Sequence, residues 1–449
     1  MSVYPAALPT VRPAVRSAFE QGSGGGAASI IAGLFSAGQQ GFWLPFTDFA
    51  SLTQDSAGTL PYTALEQPVG RVLDRSGRGN HASQVTSTAR GVVSARVNAL
   101  LNTDNPAAWG YAGTSFSVGS KDVDDGWPLT ALINSATALA AVNTDYPIGS
   151  GAVTDATIVR SIELQAGTAS FVRFGAASQT DAIAVDLVTK AIVYNSGALP
   201  VTIVPLADNW VRVEFWSSRA SFSASALSNY LSWGLSQSGG TIGATGQIGS
   251  TIKVRNPSYS RQALGYTAPV PFQRVGATPT DYDAVGFPKY LKIDGTDDFY
   301  TCNGGGSTTG FYYSDVIKPT STTFSALIAD YTGSGGYLVE RTNTGIYFGA
   351  TGGGTTRSVS LPLAANVQAF ICVFDDGVNL VLQVNDAQTS IARHAVTAGS
   401  ATMYLGRYPT IAQYFSGQIT EPIYRAGPPP SAYERSVIRN YQRQKAGML

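Results

Sequence analysis

At 449 residues the chain is too long for one ordinary hydrophobic core, so two or three domains are expected. Its formal net charge of zero argues against nucleic acid or an anionic membrane as the main partner, because either needs a basic surface. With 13% charged residues, 49 Gly, 22 Tyr and 19 Phe, the composition favours strands and turns over helices and predicts an all-β protein. The low charge fits a permanent assembly whose neighbours cover surface, and equally a surface of Gly, Ser and Thr.

Met1–Gln21 carries Pro5, Pro9 and Pro13 and little apolar pattern, and it reads as an extended arm. Gly22–Gly26 is a flexible joint. Ala27–Ala37 places Ile30, Ile31, Leu34 and Phe35 at helical spacing, and Gly38 ends the helix. Its apolar face has two possible destinations: its own domain, or a partner subunit. The first is favoured; the exposed arm before it adds weight to the second, in which these four residues are the candidate assembly contacts. Met1–Arg16 has no apolar core of the kind an export signal needs. No run approaches the roughly 18 apolar residues of a membrane-spanning helix.

Two polar turns follow, far apart in sequence. Gly70–Gln84 (GRVLDRSGRGNHASQ) runs from a short apolar strand, Val72–Leu73, into a turn made by Asp74, Ser76, Gly77, Gly79 and Asn80. Phe287–Cys302 (FPKYLKIDGTDDFYTC) points Leu291 and Ile293 one way and turns at Asp294–Asp298. The pair resembles the opening of concanavalin A-like (laminin G-like) lectin domains. With Gly41–Gly70 before the first block and Phe272–Asp298 leading into the second, it resembles more closely a group of bacteriophage tail and tail-fibre proteins. The resemblance implies a lectin-like sandwich on a virion, a homo-oligomer displayed in the tail, held by its arm to other virion proteins and in contact with host-surface glycan. A chain of extracellular character without an export signal fits a virion component released by lysis.

In the resembling domains the two blocks lie close together. Here roughly two hundred residues separate them, far more than a loop. The expected organisation is therefore an attachment arm and short helix at 1–40, a split lectin-like sandwich at 41–92 and 271–449, and an inserted domain at 93–270. Within the insert, Val211, Val213 and Phe215 alternate with Trp210, Arg212, Glu214 and Trp216, a strand with two faces. Short strands with Gly/Asn/Ser turns predict a jelly roll, and the run resembles a carbohydrate-binding-module-like insert.

The last part completes the sandwich. Ile371–Phe374 and Leu380–Val384 flank the turn Asp375–Asn379 as a hairpin. Tyr404–Arg407 and Phe415–Tyr424 resemble the last strands of the lectin-like family. After Pro428–Pro430, Ser431 and Glu434 make a capping box for a helix with Val437, Ile438 and Tyr441 on its apolar stripe, ended by Gly447.

Residues that carry chemistry are sparse. The seven Glu (Glu20, Glu66, Glu163, Glu214, Glu340, Glu421, Glu434) never form the ExDxxE pattern of lectin-fold glucanases, and Glu163 and Glu214 are expected in strands, but alone. No GxSxG elbow occurs. The glycine runs Gly22–Gly26, Gly304–Gly306 and Gly352–Gly354 lack the Lys-Ser/Thr of a phosphate loop. The reading is non-enzymatic, with no catalytic residue and no cofactor. His81, His394, Cys302 and Cys372 show no zinc spacing. The two Cys read as buried thiols; a disulfide would need Cα atoms within about 7 Å. Asp294, Asp297 and Asp298 either ligate calcium or bond the amides of their own turn, the second being favoured. Trp109, Trp127, Trp216, Trp233 and the Tyr312–Tyr313 pair are candidates to stack on sugar or to fill the core.

Overall fold

The structure, a computed structural model, describes residues 26–98, 100–109, 116–131, 142–144, 157–174, 183–195, 200–218, 231–236, 249–262 and 272–448. The proline-rich arm expected at Met1–Gln21 lies outside them. The protein is almost all-β, with a short N-terminal helix at 26–33 and a C-terminal helix at Ala432–Lys445. Contacts divide the chain into two compact units, Met1–Ala95 with Gly286–Leu449, and Arg96–Val285.

The first unit is a sandwich of two nine-stranded antiparallel sheets. One runs Ala387–Ala392, Asn379–Val384, Ala369–Asp375, Phe311–Pro319, Ser416–Ile419, Tyr290–Asp294, Val92–Ser94; Ile423–Ala426 also pairs with Phe311–Pro319 and carries Gly41–Trp43 at its edge. The second runs Leu52–Thr53, Arg71–Val72, Ala82–Ser83, Tyr300–Asn303, Thr402–Leu405, Ser325–Ala329, Gly336–Arg341, Gly345–Gly352, Thr355–Pro362. Period-2 alternation sends Leu291, Ile293, Ile371, Val373, Leu380 and Leu382 from the first sheet against Tyr300, Cys302, Val339, Phe348 and Leu405 from the second.

The outer face of the first sheet is also buried. The two helices lie on it, so Tyr312, Val316, Phe370, Cys372 and Phe374 pack under Ile31, Leu34, Phe35 and Ile438. This corrects the expectation for the N-terminal helix. Ile31, Leu34 and Phe35 are fully buried against their own sandwich, and only Ile30 is half exposed. A sheet face lined with Tyr, Val, Phe and Cys must be covered, and the N-terminal helix shares that role with the C-terminal one. At the other end of the chain, Ser431 and Glu434 form the expected capping box. Gln442, invisible as a core residue in sequence, is fully buried and donates through Nε2 to Ser314 O (2.9 Å) and Glu421 O (2.7 Å). Cys302 lies between the sheets and Cys372 under the helices, so the two free thiols belong to different layers.

The second unit has a five-stranded and a six-stranded antiparallel sheet. Val211, Val213 and Phe215 face inward with Ile162 and Leu164, against Val172, Phe174, Ile183 and Val185. Its limits differ from those expected at 93 and 270. Val93 and Ser94 belong to the first unit, paired with Leu291 and Tyr290. Residues 272–283 belong to the second: Gln273 Oε1 accepts from Val97 N (2.8 Å), and Thr103 N donates to Val275 O (2.9 Å).

The Ser94–Tyr290 pairing brings the two cut ends of the first unit together. Replacing 96–285 by a short Gly/Ser linker is therefore expected to leave a soluble sandwich that melts cooperatively. An aggregating product, from a full-length chain that does not aggregate, would contradict the division. A second outcome follows from the buried helix: Phe35→Ala is expected to lower the urea unfolding free energy of the first unit by about 3 kcal/mol, whereas a helix face reserved for a partner would lose almost nothing.

Candidate functional site

The turn at 74–80 is a closed hydrogen-bond knot. Asp74 Oδ1 accepts from Trp43 N (2.9 Å) and Ser76 N (2.8 Å), and Oδ2 from Ser76 Oγ (2.6 Å) and Asn80 N (3.0 Å). Gly77 and Gly79 take the left-handed φ of +80° and +73° that lets the chain wrap the carboxylate. Asn80 Nδ2 then donates to Gly41 O (2.8 Å), and His81 Nδ1 accepts from Asp74 N (2.9 Å). Both carboxylate oxygens of Asp74 face backbone amides or the turn hydroxyl. The stretch is structural, and what it fixes is the wall of a groove.

That groove is open, holds about 560 Å³, and is lined by Gln40, Asn303, the backbone of Gly304–Gly306, Ser307, Thr308, Thr309, Ala401, Ala426 and Gly427. The loop at 303–309 is held from below. Gly304 packs against the Asn80 amide, and Tyr424 OH donates to Gly304 O (3.1 Å). Gly306 N donates to Asp330 Oδ2 (2.7 Å), and Arg393 Nη2 donates to Thr308 O (2.6 Å). Asp330 is fully buried, and burial holds its carboxyl above the usual range even though Tyr337 N and Gly306 N bond to it. Arg393 is in turn paired to Asp375 through Nε (2.6 Å).

Two features decide the chemistry. No ionisable side chain lines the groove. And the Gln40 and Asn303 amides and the Thr308 and Thr309 hydroxyls make no hydrogen bond to any described residue, so four of the lining residues carry unengaged neutral donor–acceptor groups. The amides that would cradle an anion are taken: Gly305 N donates to Ala401 O (3.1 Å) and Gly306 N to Asp330. The groove suits a neutral, hydroxyl-rich ligand and offers a phosphate no countercharge. Sequence reasoning weighed Gly304–Gly306 only as a phosphate loop, because exposed backbone carries no other side-chain signature.

The other candidates resolve differently. Trp109 is core, with Nε1 donating to Asn102 O (2.7 Å). Trp127 is half-buried on that core. The side chains of Trp216 and Trp233 lie outside the described residues. Tyr312 and Tyr313 are fully buried, bonding Ser314 Oγ (2.9 Å) and Asp315 Oδ2 (3.3 Å), and do not stack on ligand. A half-buried aromatic group that sequence reasoning missed, Phe299, Tyr404 and Tyr414, is capped by the Arg407 guanidinium, 4.8 Å above the Phe299 ring. Glu163 and Glu214 are not isolated. The register sets Arg212 opposite Glu163 and Ser161 opposite Glu214, so the carboxylates are diagonal neighbours, each held by its own arginine: Arg255–Glu163 at 2.7 Å and Arg212–Glu214 at 2.8 Å.

Asp294, Asp297 and Asp298 bring ligand oxygens within 4.8 Å of one another. Two of those carboxylates are spent on their own turn: Asp298 Oδ2 accepts from Asp294 N (2.9 Å) and Asp294 Oδ1 from Thr296 N (2.7 Å). Burial, with the Asp294 and Asp297 charges adding to it and the Asp294 N–H opposing, pushes Asp298 up to about 6. The native state therefore holds this proton more tightly than the unfolded chain. Its contribution to stability is present in acid and is lost as pH rises through about 6. Asp298→Asn is expected to melt higher than the parent at pH 7.5, with the gap closing as pH falls towards 4; a gap independent of pH would contradict the assignment. Calcium is the companion titration. Coordination would raise the parent's melting temperature and leave Asp298→Asn unmoved.

Neither a protein-family model nor a curated protein matches the chain. Solved structures do. The ligand-binding domain of botulinum neurotoxin serotype D, in complex with N-acetylneuraminic acid, is 13% identical over 34% of this chain and 42% of its own, with a TM-score of 0.30. The botulinum neurotoxin serotype G binding domain is 12% identical over 36% and 44%, with a TM-score of 0.30. A structure from work on botulinum neurotoxin type C entry and two ganglioside molecules is 12% identical over 35% and 43%, with a TM-score of 0.29. The chain covers less than half the length of each. Among the described residues no helix is long and apolar enough to cross a membrane.

Proposed function

We propose that this chain is a non-enzymatic bacteriophage virion protein of the tail, whose sandwiches meet glycan on the host surface. One observation carries the glycan part: an uncharged groove with unengaged amides and hydroxyls from Gln40, Asn303, Thr308 and Thr309 around a glycine backbone floor. A sugar hydroxyl is both donor and acceptor, and so is each of these groups or its amide pair. The glycines let a ring approach the backbone, where a side chain would stand in the way. The virion part is supported by the segments Gly70–Gln84 and Phe272–Asp298 and their resemblance to phage tail proteins. In this reading the chain is a homo-oligomer attached through its N-terminal arm, and glycosidic bonds are held and not cut.

A second reading, a purely structural baseplate, collar or capsid decoration, is favoured by the strand Ala191–Asn195. Ile192, Val193 and Tyr194 are exposed on it together, as subunit packing would have them.

The test is binding of the full chain to host cells and to purified host polysaccharide. Asn303→Ala with Thr309→Val removes two hydrogen-bonding groups from the groove, and binding is expected to weaken about tenfold or more at unchanged melting temperature. Binding undiminished in the double variant would remove the groove from the proposal. Oligosaccharide released from the polysaccharide would replace the non-enzymatic reading with a depolymerase. Labelled virions in the electron microscope separate a distal tail position from a packed ring at neck or capsid.

A further inference from the structure

The outer face of the second sheet holds an acid without a partner. Strand Gly336–Arg341 sends Tyr337 and Val339 into the core, so Leu338 and Glu340 point outward. Glu340 stands between Ala326 on one neighbouring strand and Tyr347 on the other. Ala326, Ala329 and Leu338 make an apolar floor with Tyr331 and Tyr408 packed on it. The rings of those two tyrosines meet edge to face at 5.9 Å. The Tyr347 ring lies over Gly349, where any added Cβ would come within 2.6 Å of it.

Glu340 is only 8% exposed, yet its carboxyl makes no hydrogen bond or ion pair with any described residue. The titratable groups that face it are phenols: Tyr347 from the adjacent strand, Tyr331 beyond Ser325–Ala329, and Tyr408 beyond Thr402–Leu405. Tyr331 spends its proton on Gly333 O (3.2 Å), and the Tyr347 hydroxyl pairs with Ser358. Burial alone raises Glu340 to about 7.

We propose that this patch binds an organic ammonium group, with Glu340 as counter-ion and Tyr331, Tyr347 and Tyr408 around the cation. A desolvated carboxylate is costly until a proton or a cation neutralises it. Phenol faces carry negative potential, which favours a diffuse cation. A hard metal ion needs six or more oxygens, and one carboxylate does not supply them. The exchange balances simply: the protonated acid releases its proton to solvent as the ammonium takes its place. This site is independent of the groove and does not rest on the glycan reading.

The probes are choline and glucosamine, which separate a quaternary ammonium from an amino sugar, each with its neutral counterpart, 3,3-dimethylbutan-1-ol and N-acetylglucosamine. Calorimetry on the full chain at pH 8 is expected to show saturable binding of at least one cation, at least about tenfold tighter than its neutral counterpart. Affinity for choline, whose charge is fixed, is expected to fall about tenfold between pH 8 and pH 6 as the acid takes up its proton, and that for glucosamine, whose own amine gains charge over the same range, to fall less. Glu340→Gln is expected to lose about tenfold or more and to become insensitive to pH, while melting no lower than the parent. Tyr408→Leu is expected to weaken binding with the pH profile kept, and it decides the matter if Glu340→Gln does not fold. Absence of binding by both cations, equal binding by the neutral counterparts, or unchanged affinity in Glu340→Gln would each overturn the site.

Discussion

The sandwich depends on the carboxylate of Asp74. Four donors converge on it, three of them backbone amides that would otherwise be buried and unsatisfied. Charge-assisted bonds of this kind are about twice as strong as neutral ones, which offsets the cost of keeping a carboxylate out of water. Through Trp43 N and through Asn80 the same turn grips the strand Gly41–Trp43. That strand pairs only with Ile423–Ala426 among the described strands, so beyond one ladder its position rests on side-chain and turn bonds, those of Asp74, Asn80 and Glu421 among them. Gln40, Gly304 and Ala426, all groove residues, take their places from this arrangement.

The two faces of the sandwich then have different fates. The first sheet is closed over by two helices, and its far side carries a polar network: Glu421 accepts from Trp43 Nε1 (2.6 Å) and Tyr441 Oη (2.7 Å) and is pushed up by complete burial. Helix, edge strand and sheet are tied at that one acid. The second sheet keeps half-exposed tyrosines on its outer face and small residues between them. The two proposed ligand sites therefore fall at the end of the sandwich, at 303–309, and on the outer face of the second sheet.

How much of this was legible in sequence follows from where the information sits. Alternation located Leu291 with Ile293 and Val211 with Val213 and Phe215, because each faces a single core. The Ser431–Glu434 box marked its helix, because a cap is local chemistry. Alternation failed at Tyr312–Tyr313, where helices cover the second face and bury both. For Ile31, Leu34 and Phe35 the helical stripe established that a face is buried; only the tertiary contacts show against what. The unit boundary near 285 turns on the Gln273 side chain reaching Val97 N, a bond with no sequence pattern. Glu340 looks like any strand glutamate until register places Ala326 and Tyr347 at its sides.

The low charge of the chain has a structural use. Asp315 takes three backbone amides, from Val316 (2.7 Å), Glu421 (2.9 Å) and Thr420 (3.3 Å), and burial still carries it up to about 8. Asp330 takes two, Asp375 binds Tyr337 and Arg393, and Asp74 closes its knot. These carboxylates act as fixed acceptors for loop backbone, at places where a β-sandwich must change direction and ladder partners run out. Acids used this way face inward, and the groove they support carries only amides, hydroxyls and glycine. As the proposed recognition surface, a neutral groove over an acid-braced frame would discriminate by shape and hydrogen bonding, which screening by salt leaves largely untouched.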